Sequence, residues 1–133
     1  MKERADLVRG LLRKAQSDLL ALDATLKAGA YDAAAFHAQQ AVEKLLKAYL
    51  AHEGEEFPFT HNLSRLVELC AELDITFQTL IPVVEPLTPY AVELRYDSDF
   101  WPTAKEASEA QGSAVAARDF VLSHLPPSLH PGS

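Results

Sequence analysis

The chain has 133 residues, the size of one compact domain, which excludes a two-domain enzyme with a cleft between its halves. Hydrophobic residues make up 48% and charged residues 23%, with only 5 Gly, so the composition is that of a folding globular chain and not of a disordered or fibrous one. Lys plus Arg (12) against Asp plus Glu (19) leave a net charge of −7, which excludes a surface that coats nucleic acid or anionic membrane all over and confines any anion site to a local patch. The single Cys70 rules out an intrachain disulfide and a multi-cysteine zinc site, and fits a reducing compartment. The first residues, Met-Lys-Glu-Arg-Ala-Asp, are charged where a signal peptide needs an apolar run, and no stretch approaches the ~18 apolar residues of a membrane span. The expectation is a soluble, cytoplasmic protein.

Alanine is abundant, Leu, Glu and Lys are frequent, and β-branched residues do not alternate, so propensity points to helix throughout. From about Arg4 to Lys27, Leu7, Val8, Leu11, Leu12, Ala15, Leu19, Leu22 and Leu26 project into one sector of about 140°, a single buried face. Gly29 supplies the stop. A second helix is predicted from about Tyr31 to His52, with Ala34, Ala38, Ala41, Val42, Leu45, Leu46, Ala48 and Tyr49 inward and Gly54 and Pro58 beyond its end.

Residues Phe57 to Asn62 read as a loop in which Thr60 or Asn62 caps a third helix, whose Leu63, Leu66, Val67, Cys70 and Leu73 keep helical spacing. Pro82, Pro86 and Pro89 then allow only kinked helical pieces up to about Tyr96, because each removes an N–H and crowds the preceding turn. Asp97 to Pro102 form a loop, and a last helix is predicted from about Thr103 to His124. Residues 1–125 thus make one domain, an all-α, antiparallel up-and-down bundle of four to five helices, and 126–133 a flexible Pro-rich tail.

On the second helix, His37, Gln39, Gln40, Glu43, Lys44 and Lys47 lie opposite the apolar face, and His37, Gln40, Lys44 and Lys47 fall within about 80° of one another. This is a cationic, hydrogen-bonding stripe on an acidic protein, either a solvated helix face or a ligand or partner surface; Phe36 in the same sector favours a covered one. His52 and His61 flank an acidic loop but lack the i, i+4 pair of a metal-binding helix, so no metal is expected. Cys70 reads as a small core residue, and Trp101 as an aromatic that caps the end of the bundle or stacks a base. Gln111 and Arg118 are odd: they project among Ala107, Ala110, Ala114 and Leu125 on the apolar face of the last helix, where long side chains either snorkel outward or line a polar cavity. No phosphate loop, Ser-His-Asp arrangement or paired catalytic carboxylates are found by motif, and no cofactor is expected.

The run from Gly29 to Leu50, with His37, Gln40, Glu43, Lys44 and Lys47 in its second half, resembles the signature second helix of the HEPN family, the higher eukaryotes and prokaryotes nucleotide-binding domain. Thr60-His61-Asn62-Leu63 with Leu66 resembles the opening of that family's third helix, and Glu93-Leu94-Arg95-Tyr96 its Arg-Tyr segment before the final Ala-rich helix. The similarity spans roughly Arg4 to Leu125. It implies an antiparallel helical bundle that pairs as a homodimer and is encoded beside a minimal nucleotidyltransferase in toxin–antitoxin or related defence modules.

Some members of the family are metal-independent ribonucleases that use an Arg followed at short spacing by a His, the two sites meeting across a dimer. Counting from Arg95, that His would fall on Phe100, Trp101 or Pro102, none of which transfers a proton. Arg118 and His124 have a suitable spacing but sit at the end of the last helix, with side chains roughly 120° apart, where a His serves the helix C-terminus. The leading expectation is a non-catalytic binding or regulatory module. Arg95, Tyr96, His37, Gln40, Lys44 and Lys47 are its candidates for contacting a nucleotide, RNA or the nucleotidyltransferase partner. The alternatives are a ribonuclease toxin with a non-standard His, from His37 or His61, and a purely structural dimerisation bundle.

Overall fold

The structure, a computed structural model, describes residues 3–92 and 97–132. Its long helices are α1 (Arg4–Ala28), α2 (Tyr31–His52) and α5 (Ala104–Ser123); between them lie α3 (Leu63–Leu73) and a stretch of tight 3-10 turns, Ile75–Leu80 and Glu85–Ala91, with one α-helical turn, α4 (Ile81–Val84). The described residues contain no strand, and none of their helices is long and apolar enough to cross a membrane. The bundle is all-α, as its sequence implies.

Gly29 ends α1 in the left-handed conformation (φ 81°), its N–H bonded to Leu26 O at 3.1 Å and that of Ala30 to Thr25 O at 2.9 Å. That turn sends α2 straight back along α1. Gly54 does the same job after α2 (φ 78°), with the exposed Arg4 guanidinium close beside it. The Arg4 guanidinium is at that spot because Nη1 donates to His52 O, tying the start of α1 to the end of α2. Asn62 caps α3 by accepting from Arg65 N–H at 3.1 Å, and Thr103 with Glu106 forms a reciprocal capping box on α5. Pro82 and Pro86 open short helical turns, where a missing N–H costs nothing, and Pro89 keeps the last piece in 3-10 form.

The second helix is the centre of the molecule. It packs against α1, α3, α5 and the 3-10 stretch, so residues on nearly every side of it are buried: Ala34, Ala38, Val42, Leu45, Leu46 and Tyr49 as the periodicity predicts, but also Ala35, Leu50 and Ala51. Phe77 from the broken segment is fully buried, 4.3 Å from the Tyr49 ring and 4.9 Å from that of Phe120. Cys70 is buried with its Sγ 3.8 Å from Leu46 O, and burial pushes its thiol up to about 12. It is a core residue.

Three expectations need correction. Leu7 and Leu73, read as inward, are exposed, because each lies at the margin of its apolar sector where no second layer covers it. Trp101 does not cap the bundle: it points outward with Nε1–H donating to Ser98 O, and Phe100 packing on Tyr90, together with buried Pro102, closes that end instead. The tail read as flexible folds back. Leu129 joins the core, His130 Nε2–H donates to the carbonyls of Leu122 and Leu125 at 2.8 and 3.0 Å, and Gln16 Nε2 donates to Gly132 O at 2.9 Å. Pro126 and Pro127 follow the end of α5, and His130 adds a side-chain donor to the carbonyls at that helix end.

Candidate functional site

The polar residues of α2 form two stripes, each built around one carboxylate. Positions 39, 43 and 47 follow each other at four-residue steps along one strip of the helix, and 37, 40 and 44 along another. The first strip is covered by the loop after α2, with Gln39 and Glu43 buried, while His37, Gln40 and Lys44 of the second are half-buried, so α2 does not present one fully solvated cationic face.

Asp18 of α1 is the centre of the first node. It accepts from His37 Nδ1–H at 3.0 Å through Oδ1 and from Lys44 Nζ through Oδ2. Phe36 sets its ring edge-on to His37, with centroids 5.7 Å apart. The node joins α1 to α2 at a place where leucine packing already holds them together.

Glu43 is the centre of the second node and, among the described residues, one of two buried polar ones, the other being Gln39. Its Oε1 accepts from His61 Nδ1–H at 2.8 Å and from Gln39 Nε2 at 3.3 Å, and its Oε2 accepts from Lys47 Nζ at 3.1 Å. Gln39 Nε2 also donates to His61 O at 3.1 Å, and Gln40 Nε2 donates to Gln39 Oε1 at 2.7 Å. Lys47 lies 5.5 Å from the centroid of the Phe57 ring. A carboxylate has about four lone-pair sites, and Glu43 fills three of them with groups from α2 and the loop after it. This node pins residues 57–61 onto α2, which is why Gln39 and Glu43 are buried and not exposed.

The lysines at 44 and 47 are thus each matched by a carboxylate within the same node, and the stripe carries little free positive charge. Among the sequence candidates, His37, Gln40, Lys44 and Lys47 all belong to one node or the other, whereas Arg95 and Tyr96 lie outside the described residues. Periodicity missed Asp18, on a different helix, and missed the burial of Glu43. The usable signal was the four-residue spacing of Gln39, Glu43 and Lys47 together with a His just ahead of α3.

Because Glu43 accepts from Nδ1–H, the Nε2 of the His61 ring points away from the carboxylate, and its side chain is 56% exposed. His37 is oriented in the same way by Asp18 but is half as exposed, at 29%. His124, the other histidine of the sequence reading, is structural. Its Nδ1–H donates to Phe120 O at 2.8 Å, its ring stacks on Phe120, and its Nε2 lies 3.4 Å from Asp74 Oδ2. Hydrogen bonds from Thr76, with His124 nearby, hold the Asp74 carboxyl below its ordinary range. Arg118 pairs with its neighbour Asp119 and not with His124.

An antiparallel bundle with a central polar-ended helix, a capped third helix, a proline-broken link and an Ala-rich closing helix defines a small all-α module. The family model described as HEPN domain matches residues 8–124, and the chain belongs to that family. Solved structures similar to it include TT1696 from Thermus thermophilus, at 28% identity over 89% of this chain and 98% of that one, with a TM-score of 0.78. Another is ST0689, an archaeal HEPN homologue, at 23% identity over 93% and 98% of the two chains, with a TM-score of 0.70. No curated protein matches the chain.

Proposed function

We propose that the protein is a non-catalytic HEPN-type binding and regulatory module that acts in the cytoplasm as a homodimer, and that its ligand is a protein, the minimal nucleotidyltransferase of a toxin–antitoxin or defence-type pair. The observation that carries this reading is the internal neutralisation of α2: Lys44 is matched by Asp18 and Lys47 by Glu43. A polyanion gains most from cations that release counterions on contact, and paired lysines have little left to offer. A near-neutral surface rich in hydrogen-bonding groups suits a folded partner better, and Arg95 and Tyr96 remain the sequence candidates for a nucleotide carried by that partner. The absence of a His at positions 100–102 supports a module without nuclease chemistry.

The test is a pull-down from cells that co-express the protein with the nucleotidyltransferase encoded beside it, alongside calorimetric titration with nucleoside triphosphates and short RNA. Capture of the enzyme with weak RNA binding of shallow salt dependence is the expected result. Tight RNA binding at physiological salt without capture of the enzyme overturns it.

One observation favours a second reading, a metal-independent ribonuclease: buried Glu43 orients His61 so that an exposed imidazole nitrogen is free to move a proton. Cleavage of labelled RNA in chelator, lost in both Arg95→Ala and His61→Ala, would establish it. Intact RNA removes it.

A further inference from the structure

Arg118, out of place on an apolar helix face, borders a cavity that neither polar node of α2 touches. The cavity lies between α1, α5 and the returning tail and has a volume of about 350 Å³, within the range of small-molecule sites. Leu12, Leu19, Leu45 and Leu122 line it, and Leu20, 67% exposed, stands at its rim. His130 and Pro131 of the tail form part of its wall, and the bonds from His130 to the end of α5 and from Gln16 to Gly132 fix that wall in place.

The polar groups in the lining are unequal. Asp23 is engaged by Gln111, whose Nε2 donates to its Oδ1 at 2.6 Å, and it forms no direct ion pair with Arg118. Arg118 is partnered by Asp119 alone: Nε and Nη2 share one oxygen of a carboxylate that is 65% exposed, a surface contact of the weak kind. The Nη1 hydrogens are not used in that contact. A cation at the mouth of a leucine-lined hollow, with its countercharge in solvent, is complementary to an amphipathic anion.

We infer that this cavity is a binding site for a small amphipathic carboxylate, its acyl or aromatic body among the leucines and its head on the Arg118 guanidinium. The probes are monomeric decanoate and, as its neutral counterpart, decanol, titrated into the full chain and followed by amide chemical shifts. The expected result is saturable shifts confined to Leu12–Asp23, the surroundings of Leu45, Arg118–Leu122 and His130–Gly132, with decanoate binding about fivefold tighter than decanol. Arg118→Met, which keeps the apolar stem and removes the charge, should bring the two ligands to equal affinity while circular dichroism stays unchanged. Absence of shifts, shifts centred elsewhere, or a decanoate preference that survives in Arg118→Met overturns the proposal; a second copy of the chain covering this hollow would give the first of these.

Discussion

The two nodes of α2 use the same parts for different work. Each places one carboxylate between a histidine Nδ1 and a lysine, Asp18 with His37 and Lys44, Glu43 with His61 and Lys47. The Asp18 node spans two regular helices whose leucine faces already fix their register, so it adds to an interface that stands without it. The Glu43 node holds an irregular loop that offers the core little besides half-buried Phe57, so it decides where that loop lies. Similar chemistry is reinforcement in one place and the main anchor in the other, and only the anchor presents an exposed, oriented imidazole.

Breaking the anchor should therefore cost most. Glu43→Ala strands Lys47 and Gln39 in a mostly buried setting, and denaturant unfolding should show a loss of about 3 kcal/mol. Asp18→Ala leaves Lys44 and His37 partly exposed and able to rehydrate, so the same measurement should show about 1 kcal/mol, with the loop unaffected. If the two losses are equal, the distinction between anchor and reinforcement fails. His61→Ala, which removes a half-exposed ring but leaves Glu43 its bonds to Lys47 and Gln39, should cost only about 0.5 kcal/mol by the same assay.

Asp74 with His124 gives a third carboxylate–histidine contact, outside α2, and a control on pH. Its carboxyl titrates lower in the folded chain than in the unfolded one, because Thr76 donates to it. Its contribution is therefore present above the unfolded value, near pH 4, and is lost as pH falls through the lower folded value. Asp74→Asn should flatten that acid limb of the stability curve by lowering stability at neutral pH while leaving it little changed at the acid end, as read from melting temperatures across pH. An unchanged acid limb would place the acid sensitivity elsewhere.

Much of this bundle is written in single-helix periodicity. The bounds of α1, α2 and α3 follow from apolar spacing and from Gly29, Gly54 and Asn62, since each signal acts within a few residues of the element it ends. What periodicity cannot supply is coverage. Gln39 and Glu43 look solvent-facing on a helical projection of α2 alone, and become buried because a loop about 20 residues later in the chain returns over them. Asp18 is invisible as a partner of Lys44 for the same reason, being on another helix. The tail misleads in the opposite sense: Pro126 and Pro127 read as a frayed end, while Leu129 and His130 supply the apolar and hydrogen-bonding contacts that dock it. Gln111 and Arg118 were legible as anomalies on an apolar face, and their different fates, one tying α5 to α1 and the other bordering a cavity, come from the geometry of α1.

The claim that one carboxylate anchors and the other reinforces is tested most directly by hydrogen exchange on the wild-type chain, Glu43→Ala and Asp18→Ala under native conditions. Amides of residues 57–66, which span the held loop and the capped start of α3, should lose protection in Glu43→Ala while α1 and the first half of α2 keep theirs, and Asp18→Ala should leave that loop as in the wild type. Equal protection of the loop in all three proteins, or its loss in Asp18→Ala, would contradict the account.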